Sequence, residues 1–288
     1  MHDPNLKQRI KHVRLYFEEK AGQARQRDGR YKLAQEAKMT RRVRNVLTKQ
    51  MDWIIARTAG LSVFNVKGVI MLNKKTIYEE IDLLVSDLPF QDELVEKIIL
   101  GARPSYKKGA RTVYNDLEMG NLGVDFSLIN NEAARYMESL RTLHLSNFKG
   151  SINRETKLRI RNLITEQINS GASYEETARK IRAQGDAGIF SRARSELISV
   201  NQVGTAYGEG NREMVDIFQA ETHQIMQKSW ITTKDDRVTE ECKANEDEGW
   251  ISFEQHFNSG DLVAPRQSNP RCRCDTGYRA INASGNVI

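Results

Sequence analysis

The stretch His223-Gln-Ile-Met-Gln-Lys-Ser-Trp-Ile-Thr-Thr233 marks where the chain changes its grammar. It is rich in strand formers and alternates in places, as a half-buried strand does. Upstream the apolar pattern is mostly helical. A helix over 153–169 carries Leu158, Leu163, Ile164 and Ile168 and stops at Gly171. Ser173, with Glu176 three residues on, forms a capping box for a helix over 174–184. A long helix over 188–217 follows, with Phe190, Ala193, Leu197, Val200, Val203 and Val215 among its apolar positions. Its Gly204, Gly208 and Gly210 each cost about 1 kcal/mol against Ala, a cost that close packing on another element would offset.

Further toward the N-terminus, Leu6, Ile10, Val13 and Phe17 lie on one helical stripe, with Lys7, Arg9, Lys11 and Arg14 on the other faces. The apolar signal lapses over Gly22–Gly29 and resumes with Leu33, Ala37, Val43, Val46, Leu47, Met51, Ile54 and Ile55, up to Gly60. Two helices are therefore expected in 1–59. Residues 60–150 mix a β-like run (Leu61, Val63, Val66, Val69, Ile70, Met71) with helical patterns over 76–88, 91–100 and 126–148. Gly101–Gly109 reads as a loop, and no motif stands out in this region.

Downstream of the quoted stretch come an acidic, turn-rich segment, Lys234–Gly249, and a second extended run, Trp250-Ile-Ser-Phe253. A loop with Asn258-Ser-Gly-Asp261 and Pro265 leads to Pro270-Arg-Cys-Arg-Cys-Asp275. The predicted fold class is mainly α: a basic helical arm over 1–59, a helical body over 60–150, and a domain over 151–280. The last part of that domain, 222–280, is a small α+β module, and 281–288 form a flexible tail. A module of this size has a marginal core without the helices or a staple.

The composition, 288 residues with 39% hydrophobic and 28% charged, is that of a globular chain. No run approaches the roughly 20 apolar residues of a membrane span, and nothing behind Met1-His2-Asp3-Pro4 reads as a signal peptide. A cytosolic origin is expected. The net charge of +6 is uneven: residues 1–59 hold fifteen Lys/Arg against six Asp/Glu. Lys7, Arg9, Lys11, Arg14, Arg41, Arg42 and Arg44 thus suit an anionic partner, nucleic acid or an acidic protein surface. The alternative is a solvated face that keeps the chain soluble.

All three cysteines, Cys242, Cys272 and Cys274, fall in the last fifth of the chain. So small and odd a count does not read as a secreted disulfide framework. In an extended Cys272-Arg273-Cys274 both sulfurs share one face and Arg273 takes the other. With Cys242 they suit Zn²⁺, for which His256 is the nearest chemical candidate as fourth ligand. Three reduced cysteines packed in a small core fit the same residues.

The run Lys228-Ser-Trp230 through Asp235-Asp236-Arg237-Val238, Cys242, Ala244-Asn245-Glu246 and Gly249-Trp-Ile251 resembles the C-terminal signature of phage Mu F-like head-morphogenesis proteins. Its continuation, Phe257-Asn-Ser-Gly-Asp261, Pro265 and Asn269-Pro-Arg-Cys-Arg-Cys274, is similar to the same signature, and the likeness covers about 150–280. Where such proteins often carry a further Cys and a His, this chain has Thr239 and Asn269. The resemblance makes Trp230, Asp235, Asp236, Arg237 and Arg273 structural signature residues and implies a binding role without catalysis. It implies a virion protein of the head interior or portal vertex, present in the host cytoplasm during assembly. The implied partners are the portal protein, major capsid or scaffold proteins and phage DNA, with no membrane, and the implied role extends to DNA ejection. The alternative function is a metal-dependent nuclease using Asp235 and Asp236. Thiolates, however, suit structural zinc, whereas nuclease chemistry more often uses Mg²⁺ on oxygen ligands.

Overall fold

One helix, α1 (Leu6–Thr58), runs through the whole span expected to hold two. At 1.5 Å per residue its 53 residues extend about 80 Å. The expected break at Gly22–Gly29 is absent because Gln23, Ala24, Arg25, Gln26 and Arg27 are adequate helix formers. Asp28, beside the costly Gly29, is moreover buried and paired on both oxygens. The computed structural model describes residues 6–61, 64, 79–84, 89–147, 153–234, 238–265, 269, 272–282, 285 and 287. For 6–27, 143–147, 153–157, 186 and 189 only the backbone is described.

Met39, Val43, Val46, Leu47, Met51 and Ile54 recur at helical spacing and are buried. Half of the expected arm is therefore core rather than an extension standing off it. The β-like run after Leu61 lies outside the described residues apart from Leu61 and Phe64. Residues 79–84 are helical and bury Ile81 and Leu84.

Helix α2 (Gln91–Asp116) continues through the stretch expected to be a loop, with Pro104 inside it. The reason is tertiary. A Cβ at Gly109 would collide with the Tyr207 carbonyl, and one at Gly210 with the Tyr106 carbonyl. The two glycines let α2 and α6 (Arg192–Thr222) cross at backbone contact. Between them come two short 3₁₀ turns (Met119–Leu122, Phe126–Leu128), then α3 (Ile129–Asn147), α4 (Asn153–Asn169) and α5 (Tyr174–Gln184). The capping box of α5 is present in both directions between Ser173 and Glu176. A π turn, Gly185–Ile189, precedes α6, so that helix starts and ends a few residues later than its apolar pattern predicts.

Beyond α6, β1 (Ile225–Ile231) is the centre of a three-stranded antiparallel sheet, flanked by β2 (Trp250–Ser252) and β3 (Asp275–Ile281). The acidic segment contains a helix, α7 (Glu240–Asp247), capped by Thr239. Lys228 pairs with Ile251 on one side and Tyr278 on the other. Met226, Lys228 and Trp230 alternate inward along β1 and are buried. Met226, Phe253 and Ala280 join the helical core, whereas Trp230 belongs to a second cluster with Phe257, Ala264 and the three cysteines. The small module thus shares one core with the helices and keeps a second for the thiols. Among the described residues no helix is long and apolar enough to cross a membrane.

Candidate functional site

Cys242 sits in the first turn of α7, where its N–H donates to Thr239 Oγ1 at 3.4 Å. Cys272 and Cys274 lie on the segment that leads into β3, and both are buried. The three sulfurs are within 4.8 Å of one another, with Cys242 Sγ 3.9 Å from Cys272 Sγ. Contact with Cys272 and then burial push the Cys274 thiol far above its ordinary value.

Two neighbours bear on what the cluster can hold. Trp230 Nε1 is buried with no hydrogen-bond partner of ordinary geometry, and its N–H acts on Cys274 in the direction that favours a thiolate. Asn269 Nδ2 lies 4.0 Å from Cys242 Sγ. Three converging thiols fit a soft or borderline cation, and the Trp230 N–H beside Cys274 would favour its thiolate form.

His256 is not among the clustered residues: it is exposed, with Nδ1 2.7 Å from the Gly260 carbonyl. Asp235, Asp236 and Arg237 lie outside the described residues. Arg273 turns away from the sulfurs and meets Glu36 of α1 through two bonds of 3.1 and 2.9 Å. Asp275, two residues on, accepts from Lys32 Nζ at 3.0 Å. Trp230 packs edge-on to Phe257 at 5.0 Å between centroids. Trp250 is partly exposed, with the Arg279 guanidinium 4.3 Å from its ring.

The loop around the thiols is braced by residues whose role was not evident from spacing. Asn245 is fully buried, donates to Ser259 Oγ at 2.7 Å and accepts from Ser259 N at 3.0 Å. Ser259 Oγ in turn donates to Asp261 Oδ2 at 2.8 Å. Glu246 accepts from Thr232 Oγ1 at 2.8 Å and pairs with Lys234. Lys228 Nζ, under the sheet, donates to the Leu262 carbonyl at 2.8 Å. Reading Lys234–Gly249 as an acidic, turn-rich segment missed this bracing. The only signal was that Asn245, Ser259 and Asp261 fall together in the quoted signature.

Of the basic residues, Lys7, Arg9, Lys11 and Arg14 follow the α1 backbone, with side chains outside the described set. Arg41 and Arg44 are exposed, Arg42 is half-buried, and none of the three makes an ion pair among the described residues. Lys38 is exposed beside them, and from Ala37 to Met51 α1 carries no acidic residue. This is a basic ridge on the outer face of a helix whose inner face is core.

Residues 158–276, from α4 into β3, match the family described as Phage Mu protein F like protein. The segment is similar to that family over about two fifths of the chain, which supports a likeness to phage head-morphogenesis proteins. No curated protein and no solved structure gave a significant match.

Proposed function

We propose that the chain is a minor head protein that joins the phage head at the portal vertex and works by docking rather than by turnover. The carrying observation is that the residues of the matched segment with motif character are spent on its own architecture. Asn245, Glu246, Ser259 and Asp261 bond to one another or to adjacent backbone and side chains. In this reading the portal and capsid proteins are partners of the module, and the α1 ridge neutralises phage DNA or an acidic portal surface. A place in DNA ejection follows if the ridge meets the DNA.

Zinc would be held by Cys242, Cys272 and Cys274, with the Asn269 Nδ2 facing the Cys242 sulfur as a hydrogen-bond donor. Bound there it would staple α7 to β3, supplying folding energy to a small module and no chemistry.

Co-purification tests the assignment: the protein should travel with portal and mature heads at a fixed stoichiometry, and its absence from particles would end it. The ridge is tested in the full chain, because α1 is part of the core. Arg41→Ala/Arg42→Ala/Arg44→Ala should weaken DNA binding and lower its log–log salt slope by about 3, close to one per lost phosphate contact. An unchanged slope removes DNA from the ridge.

A further inference from the structure

Burial alternates along Cys272, Arg273, Cys274 and Asp275, with the two thiols buried and Arg273 and Asp275 half-buried, so alternate side chains face opposite ways. The thiol face carries residues 272 and 274. The other face carries Arg273 and Asp275, and both are tied to α1. Glu36 takes Arg273 through two oxygens, and Lys32, one turn earlier, takes Asp275 while lying 3.9 Å over the Tyr207 ring. Asn211 of α6 adds a bond to Asp275 Oδ1 at 3.4 Å. These pairs are shielded: the Glu36 and Arg273 side chains are only 10% and 25% exposed. Cys242 arrives separately, on α7. The distance between its sulfur and the other two therefore depends on where α1 holds this strand.

Resting on the reading of the thiol cluster as a metal centre, we propose that Glu36 and Lys32 are positioning residues of that centre. Metal loading and the docking of α1 are then one linked equilibrium. Groups that orient a ligand-bearing segment typically contribute roughly 10- to 100-fold to metal affinity. Linkage is reciprocal, so metal on the thiols tightens α1 against the strand by the same factor. Both positioning residues lie outside the family-matched segment, 158–276, and Glu36 is 237 positions from Arg273.

The test is a titration of the reduced full chain with Cd²⁺, followed by the ultraviolet charge-transfer absorption of cadmium thiolate. Glu36→Gln and Lys32→Met should each bind roughly 10- to 100-fold more weakly than the parent. Leu33→Gln, exposed on the same helix, should bind like the parent. Hydrogen exchange over 28–40 should slow when Cd²⁺ is added to the parent and not in Glu36→Gln, a response that a purely structural ion pair would not give. Should Glu36→Gln fail to fold, Lys32→Met decides. If the parent takes up no Cd²⁺, the metal reading falls and the linkage with it. If the parent binds and the two variants bind equally well, the linkage alone is overturned.

Discussion

Lys228 has three ammonium protons, one hydrogen bond and 1% exposure. Burial, and then the neighbouring Arg212, lower its pKa from 10.5 to about 8. Between those values the unfolded chain holds a proton that the folded chain has released. Stability therefore rises with pH across that window, by about 3 kcal/mol; below pH 8 the full penalty is present. Denaturant midpoints should climb from pH 8 to 10.5, and Lys228→Met should flatten the profile. The variant should also be more stable at neutral pH, because the desolvation relieved outweighs the ~1 kcal/mol of the lost bond to Leu262. Asp28 carries the opposite sign. Burial pushes its carboxyl up, but Lys108, Tyr207 and Thr112 together hold it below the ordinary value. Its contribution is complete above the ordinary carboxylate range and is lost as pH falls through the depressed value. Asp28→Asn should cost on the order of 3 kcal/mol at pH 7, a gap that thermal melts should show closing in acid.

Among the helices, glycine separates what sequence can tell from what it cannot. Gly29 and Gly210 both lie inside long helices and look alike in one dimension. Around Gly29 a Cβ would meet nothing within 4 Å, whereas at Gly210 it would strike the Tyr106 backbone. Gly29→Ala should therefore stabilise by about 1 kcal/mol. Gly210→Ala should destabilise by roughly 1–3 kcal/mol despite the same gain in propensity. Equal melting temperatures for the two variants would contradict the crossing. The α5 capping box was legible because both its bonds span three residues. Helix α7 was hidden, although Thr239 and the first-turn Glu240 and Glu241 are proper start signals. Eight residues rich in Asp, Glu and Asn read equally well as a turn, and only packing of Cys242 and Asn245 decides.

Across the whole molecule, the facing of the two thiols and of Arg273 could be read from a period of two. The acceptor of Arg273 could not, since nothing local links Glu36 to a residue so distant. The same long-range logic hid Lys228, a charge on a strand whose burial needs the 253–265 loop folded over it. It also misassigned the second half of α1 to a free arm, because a basic outer face dominates the composition of a helix whose inner face is apolar.

The sharing of Met226, Phe253 and Ala280 with the helical core has a practical corollary for anyone cutting the gene at its recognised borders. A polypeptide ending at 276 stops two residues into β3, and from Ser229 back to Ile225 the central strand loses its β3 partners. One starting at 158 also bares the face of α6 around Tyr207 and Gly210, where α2 crosses it at backbone contact. Such a fragment should express as insoluble aggregate while the intact chain stays in solution. Recovery of a soluble monomer with sharp amide resonances would mean that the borders of likeness and of cooperative folding coincide after all.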